Sequence, residues 1–179
     1  MILLKVAVIG GGSTYAPELI SGFISRYREV PISELWMMDI NPKRLEIVGG
    51  FCQRMTKLKG DLFPIHLTLK DADFIITQIR VGGQEARHQD IRLGLRHDLV
   101  GQETTGVGGF GKSMRTIPVI LDICEKVKEY SSPNAWNINF TNPSGIITQA
   151  IKDHTDLNAI GLCNVPISMM YQAARVLGT

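Results

Sequence analysis

The chain has 179 residues, of which 44% are hydrophobic and 20% charged, as expected of a globular domain large enough to bury a core. Its formal net charge is only +2 and its basic residues are scattered, which argues against nucleic acid or an anionic membrane as a partner. No stretch approaches the roughly 18 apolar residues of a membrane span, and the N-terminus lacks the features of a signal peptide. Three widely spaced cysteines favour a reducing compartment, so we expect a cytoplasmic protein.

Apolar runs rich in β-branched residues alternate with amphipathic stretches, a pattern typical of βαβ units. The sequence predicts strands at 5–9, 34–38, 65–68, 74–77, 136–140 and 159–162. It predicts helices at 17–28, 42–59, 111–130, 145–154 and 168–177, and a functional loop with some helix at 82–101. We therefore expect an α/β fold, a three-layer Rossmann-like domain with a doubly wound, mostly parallel sheet. Because the sheet is complete before the last helix, we expect residues 1–179 to be the leading domain of a longer protein.

The segment "VAVIGGGSTYAPEL" runs from the first strand through a glycine turn into a helix. Such turns let the backbone approach a pyrophosphate, which then lies at the helix N-terminus. Gly10 and Gly12 occupy the first two glycine positions of GxGxxG, Ser13 follows them, and Tyr15 replaces the third glycine. Asp39 ends the next strand, where a carboxylate accepts ribose hydroxyls and repels a 2′-phosphate. This context favours NAD over NADP, and a glycine turn of an unrelated α/β fold is the alternative.

Polar residues follow several other predicted strands, at the sheet edge where ligands bind in open α/β folds. Arg80 and Arg87 offer guanidinium groups suited to a phosphate or carboxylate, unless they are solvated surface charges. Glu103 lies in a glycine-rich loop and either tunes a base or occupies the surface. Asn142 precedes a proline that keeps its backbone extended, so its amide can face a ligand or simply satisfy the loop.

Five segments in this order, "GGGST", "RVGG", "GQETTGVGG", "NFTNPSG" and "GLCNVP", resemble the N-terminal domain of glycoside hydrolase family 4. Within the family, "CNVP" resembles the 6-phospho-β-glucosidase branch, and the fold is related to that of lactate and malate dehydrogenases. The resemblance implies a glycosidase that requires NAD and a divalent metal, usually Mn²⁺. It implies hydrolysis of a phosphorylated disaccharide or β-glucoside through transient oxidation at C3, proton removal at C2, elimination, water addition and re-reduction. A homo-oligomer is expected for the full-length form.

The resemblance also implies roles for individual residues. Cys163 matches the family's metal-ligand cysteine, whereas without its surroundings it would be interpreted as a core residue. Arg87 and Asn142 match substrate-binding positions, and Asn164 replaces a proton-donating aspartate, so that it can only hydrogen bond to the substrate. Glu103 matches the acidic residue that acts on a catalytic tyrosine lying beyond this chain.

Three further expectations complete the sequence-based account. Cys52 and Cys124 fall within predicted helices and are expected to be small core residues. Members of the family carry additional residues between Leu69 and Lys70, so this connection departs from the family pattern. The competing functions are a 2-hydroxy-acid dehydrogenase, which would show net NADH formation, and a non-catalytic nucleotide-binding domain.

Overall fold

The computed structural model describes residues 3–67 and 72–178. The strands are β1 (Leu4–Ile9), β2 (Ile32–Met38), β3 (Ile65–His66), β4 (Phe74–Thr77), β5 (Trp136–Asn139) and β6 (Asn158–Gly161). The helices are α1 (Ala16–Ser25), α2 (Pro42–Leu58), α3 (Gly83–Leu95), α4 (Gly106–Tyr130), α5 (Ser144–His154) and α6 (Val165–Leu177).

The six strands form one sheet in the order β3-β2-β1-β4-β5-β6, and every pair of neighbouring strands is parallel. The direction of winding reverses between β1 and β4, so a crevice opens above the carboxyl ends of these two strands. The predicted three-layer, doubly wound α/β fold is confirmed. Because the strands are parallel, their carboxyl ends share one edge of the sheet. The polar segments that follow the strands therefore lie at that edge.

The core is split by the sheet into two layers, and β1 shows how the sequence produces them. Val6 and Val8 pack with residues of α1 and α2, whereas Ala7 and Ile9 pack on the other face. Successive side chains of a strand point to opposite faces, so a strand covered on both sides must be apolar throughout. The continuous apolar run of β1 is the direct consequence.

Segment 82–101 differs from the prediction, because most of it is the 13-residue helix α3. The helix begins at Gly83, directly after Gly82, and both glycines have positive φ angles, 63° and 79° respectively. It is held against α4 by a bidentate pair in which the Arg115 guanidinium donates to both oxygens of Asp90, at 3.2 and 2.7 Å. Only Asp90 and Gly94 of this helix are buried, which explains why the sequence shows no apolar period.

Helix α4 begins at Gly106, five residues earlier than predicted, within the segment "GVGGFG". Glycine has a low intrinsic helix propensity, and this propensity misled the sequence-based boundary. A Cβ on Gly108 would lie 2.3 Å from the Gln102 carbonyl oxygen, and one on Gly109 would lie 2.6 Å from the Thr104 carbonyl carbon. The glycines are thus required for close packing of the preceding loop, and tertiary contacts override local propensity.

The other boundaries differ from the predictions by a few residues at most. The first two residues of the third predicted strand, at 65–68, are confirmed as β3. The junction between Leu69 and Lys70 lies outside the described residues.

Candidate functional site

The glycine turn after β1 is tied to the ends of both neighbouring strands. The amides of Gly10 and Gly11 both donate to the Met38 carbonyl oxygen, at 2.9 and 2.8 Å. Gly10 has a φ of +93°, and a Cβ at this position would lie 2.4 Å from the carbonyl oxygen of Gln78. Both features exclude side chains at Gly10, so the turn keeps its backbone open toward the crevice.

Asp39 lies beside this turn, as the sequence predicted. Its Oδ2 accepts from the Gly12 amide at 2.9 Å, and its Oδ1 accepts from the Asn41 amide at 2.9 Å. The Arg44 guanidinium donates to the Gly12 carbonyl oxygen from two nitrogens, at 3.2 and 3.1 Å. A Cβ on Gly12 would come within 2.9 Å of the Asp39 carboxyl group, so the glycine permits this arrangement. The turn and the carboxylate therefore form one unit.

Gln78 extends the unit toward β4. Its Nε2 donates to the Gly10 carbonyl oxygen at 3.2 Å, while its buried Oε1 has no hydrogen-bond partner among the described residues. A tight glycine turn, an adjacent carboxylate and a buried acceptor without a partner among the described residues fit a dinucleotide, whose pyrophosphate requires close backbone approach and whose ribose donates hydroxyl protons.

Ser13 and Tyr15 complete the turn and connect it to the far half of the sheet. The Ser13 hydroxyl accepts from the Tyr15 amide at 3.2 Å. The Tyr15 ring stacks on Phe140, which directly follows β5, with ring centroids 4.9 Å apart. Burial, followed by the charge of Glu18, raises the pKa of the Tyr15 phenol, and a hydrogen bond with Asn164 acts in the opposite direction. The residue that replaces the third glycine thus bridges the crevice, which the glycine pattern did not predict.

A second cluster is centred on the carboxylate of Glu103, which is 22% exposed. Its Oε1 receives the Lys112 ammonium at 2.6 Å and the Arg80 guanidinium at 2.7 Å. The guanidinium of Arg87 lies 3.6 Å from its Oε2. Three cations thus surround one carboxylate, and the cluster carries a net positive charge.

The ionisation of this cluster follows from its burial and its charges. Burial raises the pKa of Glu103, but the hydrogen bonds and charges of Lys112 and Arg80 outweigh it, so that the pKa lies below its usual value. Burial lowers the pKa of Lys112, and its contact with Glu103 only partly restores it. Glu103 is therefore a carboxylate at neutral pH, and it holds its cationic neighbours in place.

Asn142 follows β5, close to the end of β4. The neighbouring Thr141 hydroxyl accepts from the Ile79 amide at 3.0 Å, which ties the two strand ends together. The peptide bond between Asn142 and Pro143 is cis, and Asn142 is half-buried. Its side chain makes no hydrogen bond within residues 3–67 and 72–178, so its amide is available to a ligand.

Cys163 and Asn164 lie between β6 and α6. The Leu162 amide donates to the Asn139 carbonyl oxygen at 2.9 Å, which fixes this segment at the same sheet edge. Cys163 is exposed, in contrast to the fully buried Cys52 and Cys124, which are core residues as predicted. The described part of the chain contains no group of three or more His, Cys, Asp or Glu residues arranged to hold a metal ion. The exposed thiol is one potential donor and does not make a complete site by itself.

The structure brings six of the predicted residues into two groups. Gly10, Gly12, Ser13 and Asp39 form the turn unit, and Arg87 and Glu103 belong to the charged cluster. Asn142 lies in the loop after β5, and Cys163 and Asn164 lie in the loop after β6. Sequence reasoning missed Tyr15 as a bridge, and it missed Lys112 entirely. A signal for Lys112 existed, because it shares a helical face with Thr116 and Ile120, both fully buried, and a lysine on such a face is unusual.

Within residues 3–67 and 72–178, none of the helices has the length and hydrophobicity that a membrane span requires.

The chain is similar to two curated bacterial proteins. It is 51% identical over 175 residues to 6-phospho-β-glucosidase of Escherichia coli strain K12, covering 93% of this chain and 39% of that protein. It is 49% identical over 183 residues to the probable 6-phospho-β-glucosidase of Bacillus subtilis strain 168, covering 97% of this chain and 41% of the relative. The chain therefore spans about two-fifths of the length of these relatives.

Solved structures agree with these similarities. The 6-phospho-β-glucosidase of Thermotoga maritima, solved with manganese, NAD⁺ and glucose 6-phosphate, superposes with a TM-score of 0.89 at 37% identity, covering 98% of this chain and 44% of that chain. Lactate dehydrogenase of Eimeria maxima shares the fold alone, with a TM-score of 0.61 at 13% identity over 90% of this chain and 44% of that chain. The sequence model of the family described as "Family 4 glycosyl hydrolase" matches residues 5–179. The chain belongs to family 4 of the glycosyl hydrolases.

Proposed function

We propose that this chain is the NAD-binding domain of a longer 6-phospho-β-glucosidase, which releases glucose 6-phosphate from phosphorylated β-glucosides. The observation that carries the proposal is the placement of two groups at one sheet edge. The glycine turn with Asp39 follows β1, and Arg80, which belongs to the cluster with Arg87 and Glu103, follows the neighbouring parallel strand β4. The identity of about one half to relatives named 6-phospho-β-glucosidase supports this choice over a 2-hydroxy-acid dehydrogenase.

The turn unit would hold NAD. Gly10 and Gly12 let the backbone approach the pyrophosphate, Ser13 lies at the entry to α1, and Asp39 accepts the ribose hydroxyls. NAD, when bound, supplies the capacity to take up a hydride from the sugar and to return it. The presence of NAD⁺ in the solved Thermotoga maritima relative supports this assignment.

The cluster and the loop after β5 would bind the substrate. Arg87 presents a guanidinium to the anionic sugar, and Asn142 and Asn164 offer amides for hydrogen bonds to hydroxyls. An amide cannot act as a general acid, so Asn164 orients the sugar and transfers no proton. Glu103 would act on the basicity of a tyrosine that belongs to the longer protein. Its ionised state, fixed by Lys112 and Arg80, is what such a role requires.

Cys163 would supply one ligand to a divalent metal, with manganese as the expected ion. A metal of this kind stabilises negative charge on sugar oxygens when it is bound. A divalent metal needs several donors, and the described part of the chain holds no group of three or more His, Cys, Asp or Glu residues arranged around one. We therefore expect the 179-residue chain to retain little manganese, whereas the longer enzyme retains it and loses most activity on Cys163→Ser.

The test of the nucleotide assignment is calorimetry on the 179-residue chain with NAD and with NADP. We expect preference for NAD, and Asp39→Ala should weaken NAD binding and reduce the preference. The control is Asp156→Ala. The Asp156 side chain is fully exposed, and its ion pair with Lys128 is long, at 3.9 Å. Equal affinity of the wild type for both cofactors, or unchanged binding in Asp39→Ala, would contradict the assignment.

We further propose that the longer protein is cytoplasmic and homo-oligomeric. The free thiols of Cys52, Cys124 and Cys163 are consistent with a reducing compartment. Exposed apolar side chains on α6, including Met169 and Met170, suit burial in a larger assembly. Sedimentation of the longer enzyme should give a multiple of the monomer mass, and a monomer would contradict the oligomer.

A further inference from the structure

Lys112 is a buried cation that the proposed function does not use directly. It lies in the second turn of α4, and its side chain is only 4% exposed. Lysine is almost never this buried unless it is paired, because desolvation of an ammonium group is costly. It pairs with Glu103, whose Oε1 lies 2.6 Å from the Lys112 ammonium nitrogen. The fold therefore tolerates a buried lysine in order to place a positive charge at this carboxylate.

The two oxygens of Glu103 have different surroundings. Oε1 receives both Lys112, at 2.6 Å, and Arg80, at 2.7 Å. Among residues 3–67 and 72–178, the cation near Oε2 is the Arg87 guanidinium, at 3.6 Å. Arg87 is also the most exposed of the three cations, at 42% of its side chain, against 29% for Arg80 and 4% for Lys112. One oxygen is thus held by the two less exposed cations, and the other lies near the most exposed of the three.

We propose that Lys112 is a positioning residue, whose buried ammonium, together with Arg80, fixes one oxygen of Glu103 and leaves the other free for the reaction. The inference rests on the proposed function in one respect, namely that Glu103 participates in catalysis. Because Lys112 and Arg80 already neutralise Glu103, Arg87 is not needed to hold the carboxylate. Arg87 can therefore leave Glu103 for an anionic substrate without releasing an unpaired buried charge.

The charged groups around Glu103 come from three parts of the fold. Arg80 follows β4, Arg87 belongs to α3 and Lys112 belongs to α4. The adjacent pair of Asp90 and Arg115, with oxygen and nitrogen 2.7 Å apart, holds α3 against α4. Removal of Lys112 leaves Glu103 with one close cation and one distant cation. The carboxylate should then bind protons more readily and lose its fixed orientation.

The experiment is an NMR titration of the Glu103 carboxyl carbon in the 179-residue chain, in wild type and in Lys112→Met. We expect the Glu103 midpoint to rise by about one pH unit or more in the variant, because an adjacent cation typically lowers a carboxyl pKa by ~1–3 units. The control is Lys126→Met, on the same helix, whose side chain is 61% exposed and lies 3.5 Å from Asp122. It should leave the Glu103 midpoint unchanged. An unchanged midpoint in Lys112→Met would overturn the proposal.

A reciprocal variant decides the matter if Lys112→Met does not fold. In Glu103→Gln, the remaining influences on Lys112 are burial and the charges of Arg80 and Arg87, all of which lower its pKa. The Lys112 ammonium should therefore titrate at lower pH than in wild type. An unchanged Lys112 titration would show that the pair is not coupled and would overturn the proposal.

Activity of the longer enzyme separates this inference from the proposed function. Lys112→Met should lower kcat about tenfold or more with little change in KM, and should move the acid limb of the pH–rate profile upward. Lys112→Arg should recover part of kcat, because it restores the charge. A shifted Glu103 midpoint with unaltered kinetics would overturn the catalytic role of Glu103, whereas the coupling itself would stand. Loss of kcat with an unmoved midpoint would overturn the positioning role.

Discussion

Gly10→Ala is the substitution that most severely tests the geometry of the nucleotide turn. Two costs add at this position. The positive φ of +93° is unfavourable for alanine, at roughly 1–2 kcal/mol. The new Cβ would lie 2.4 Å from the Gln78 carbonyl oxygen, a backbone atom that cannot rotate away. Relief requires the ends of β1 and β4 to separate, and overpacking of this kind costs about 1–3 kcal/mol.

The predicted loss of unfolding free energy is therefore about 2–5 kcal/mol, the sum of these two costs. Urea unfolding followed by circular dichroism measures this loss, and calorimetry should show that the variant no longer binds NAD. Gly22→Ala is the matched control, because the residue is inside α1 and, apart from the helix's own adjacent backbone, no described atom lies within 4 Å of the added Cβ. It should stabilise the chain by roughly 0.5–1 kcal/mol. A Gly10→Ala chain with wild-type stability and wild-type NAD affinity would refute the reasoning.

Three further predictions concern the cysteines and Tyr15. A thiol reagent should label Cys163 rapidly in the native chain, and should reach the buried Cys52 and Cys124 only in urea; rapid native labelling of all three would contradict the fold. Burial raises the pKa of Cys52 and of Cys124 from 9.0 to about 11 in the folded chain. As the pH rises, the unfolded chain loses these protons before the folded chain does, so the free energy of unfolding should fall between pH 9 and 11. The dependence of unfolding free energy on pH should become weaker in this range when both cysteines are replaced by alanine. An unchanged pH dependence would exclude the thiols as its cause. Tyr15→Ala removes the ring stacked on Phe140 and should weaken NAD binding more than Tyr15→Phe, and equal affinities in the two variants would assign no role to the ring.

The parts of the fold that the sequence predicted are those set by a local pattern. The apolar run of β1 must be buried on both faces, and the glycine turn with Asp39 at the next strand end has a fixed place in a Rossmann-like sheet. These features require only neighbouring residues and a known topology. The structure has the apolar strand in the core and Asp39 next to the turn, since the Gly12 amide donates to the Asp39 carboxylate at 2.9 Å.

The parts that could not be predicted depend on how one segment folds back against another. The glycines that start α4 look like a loop until the backbone of residues 102–104 packs against them. The helical face of Lys112 indicates burial, but its partner Glu103, which also binds Arg80, is identified only once the loop before α4 is in place. Tyr15 looks like a defect in the glycine pattern until Phe140 is found beneath its ring. In each case a tertiary partner decides the role, and local propensity does not identify the partner.

Two products measured in one reaction of the longer enzyme distinguish the proposed glycosidase from a dehydrogenase. A 6-phospho-β-glucoside is supplied with NAD and manganese, and glucose 6-phosphate and NADH are followed in the same sample. We expect steady release of glucose 6-phosphate that depends on added NAD, with no accumulation of NADH, because the hydride is returned in every cycle. Accumulation of NADH in step with substrate consumption would identify a dehydrogenase, and hydrolysis that continues without NAD would contradict the account altogether.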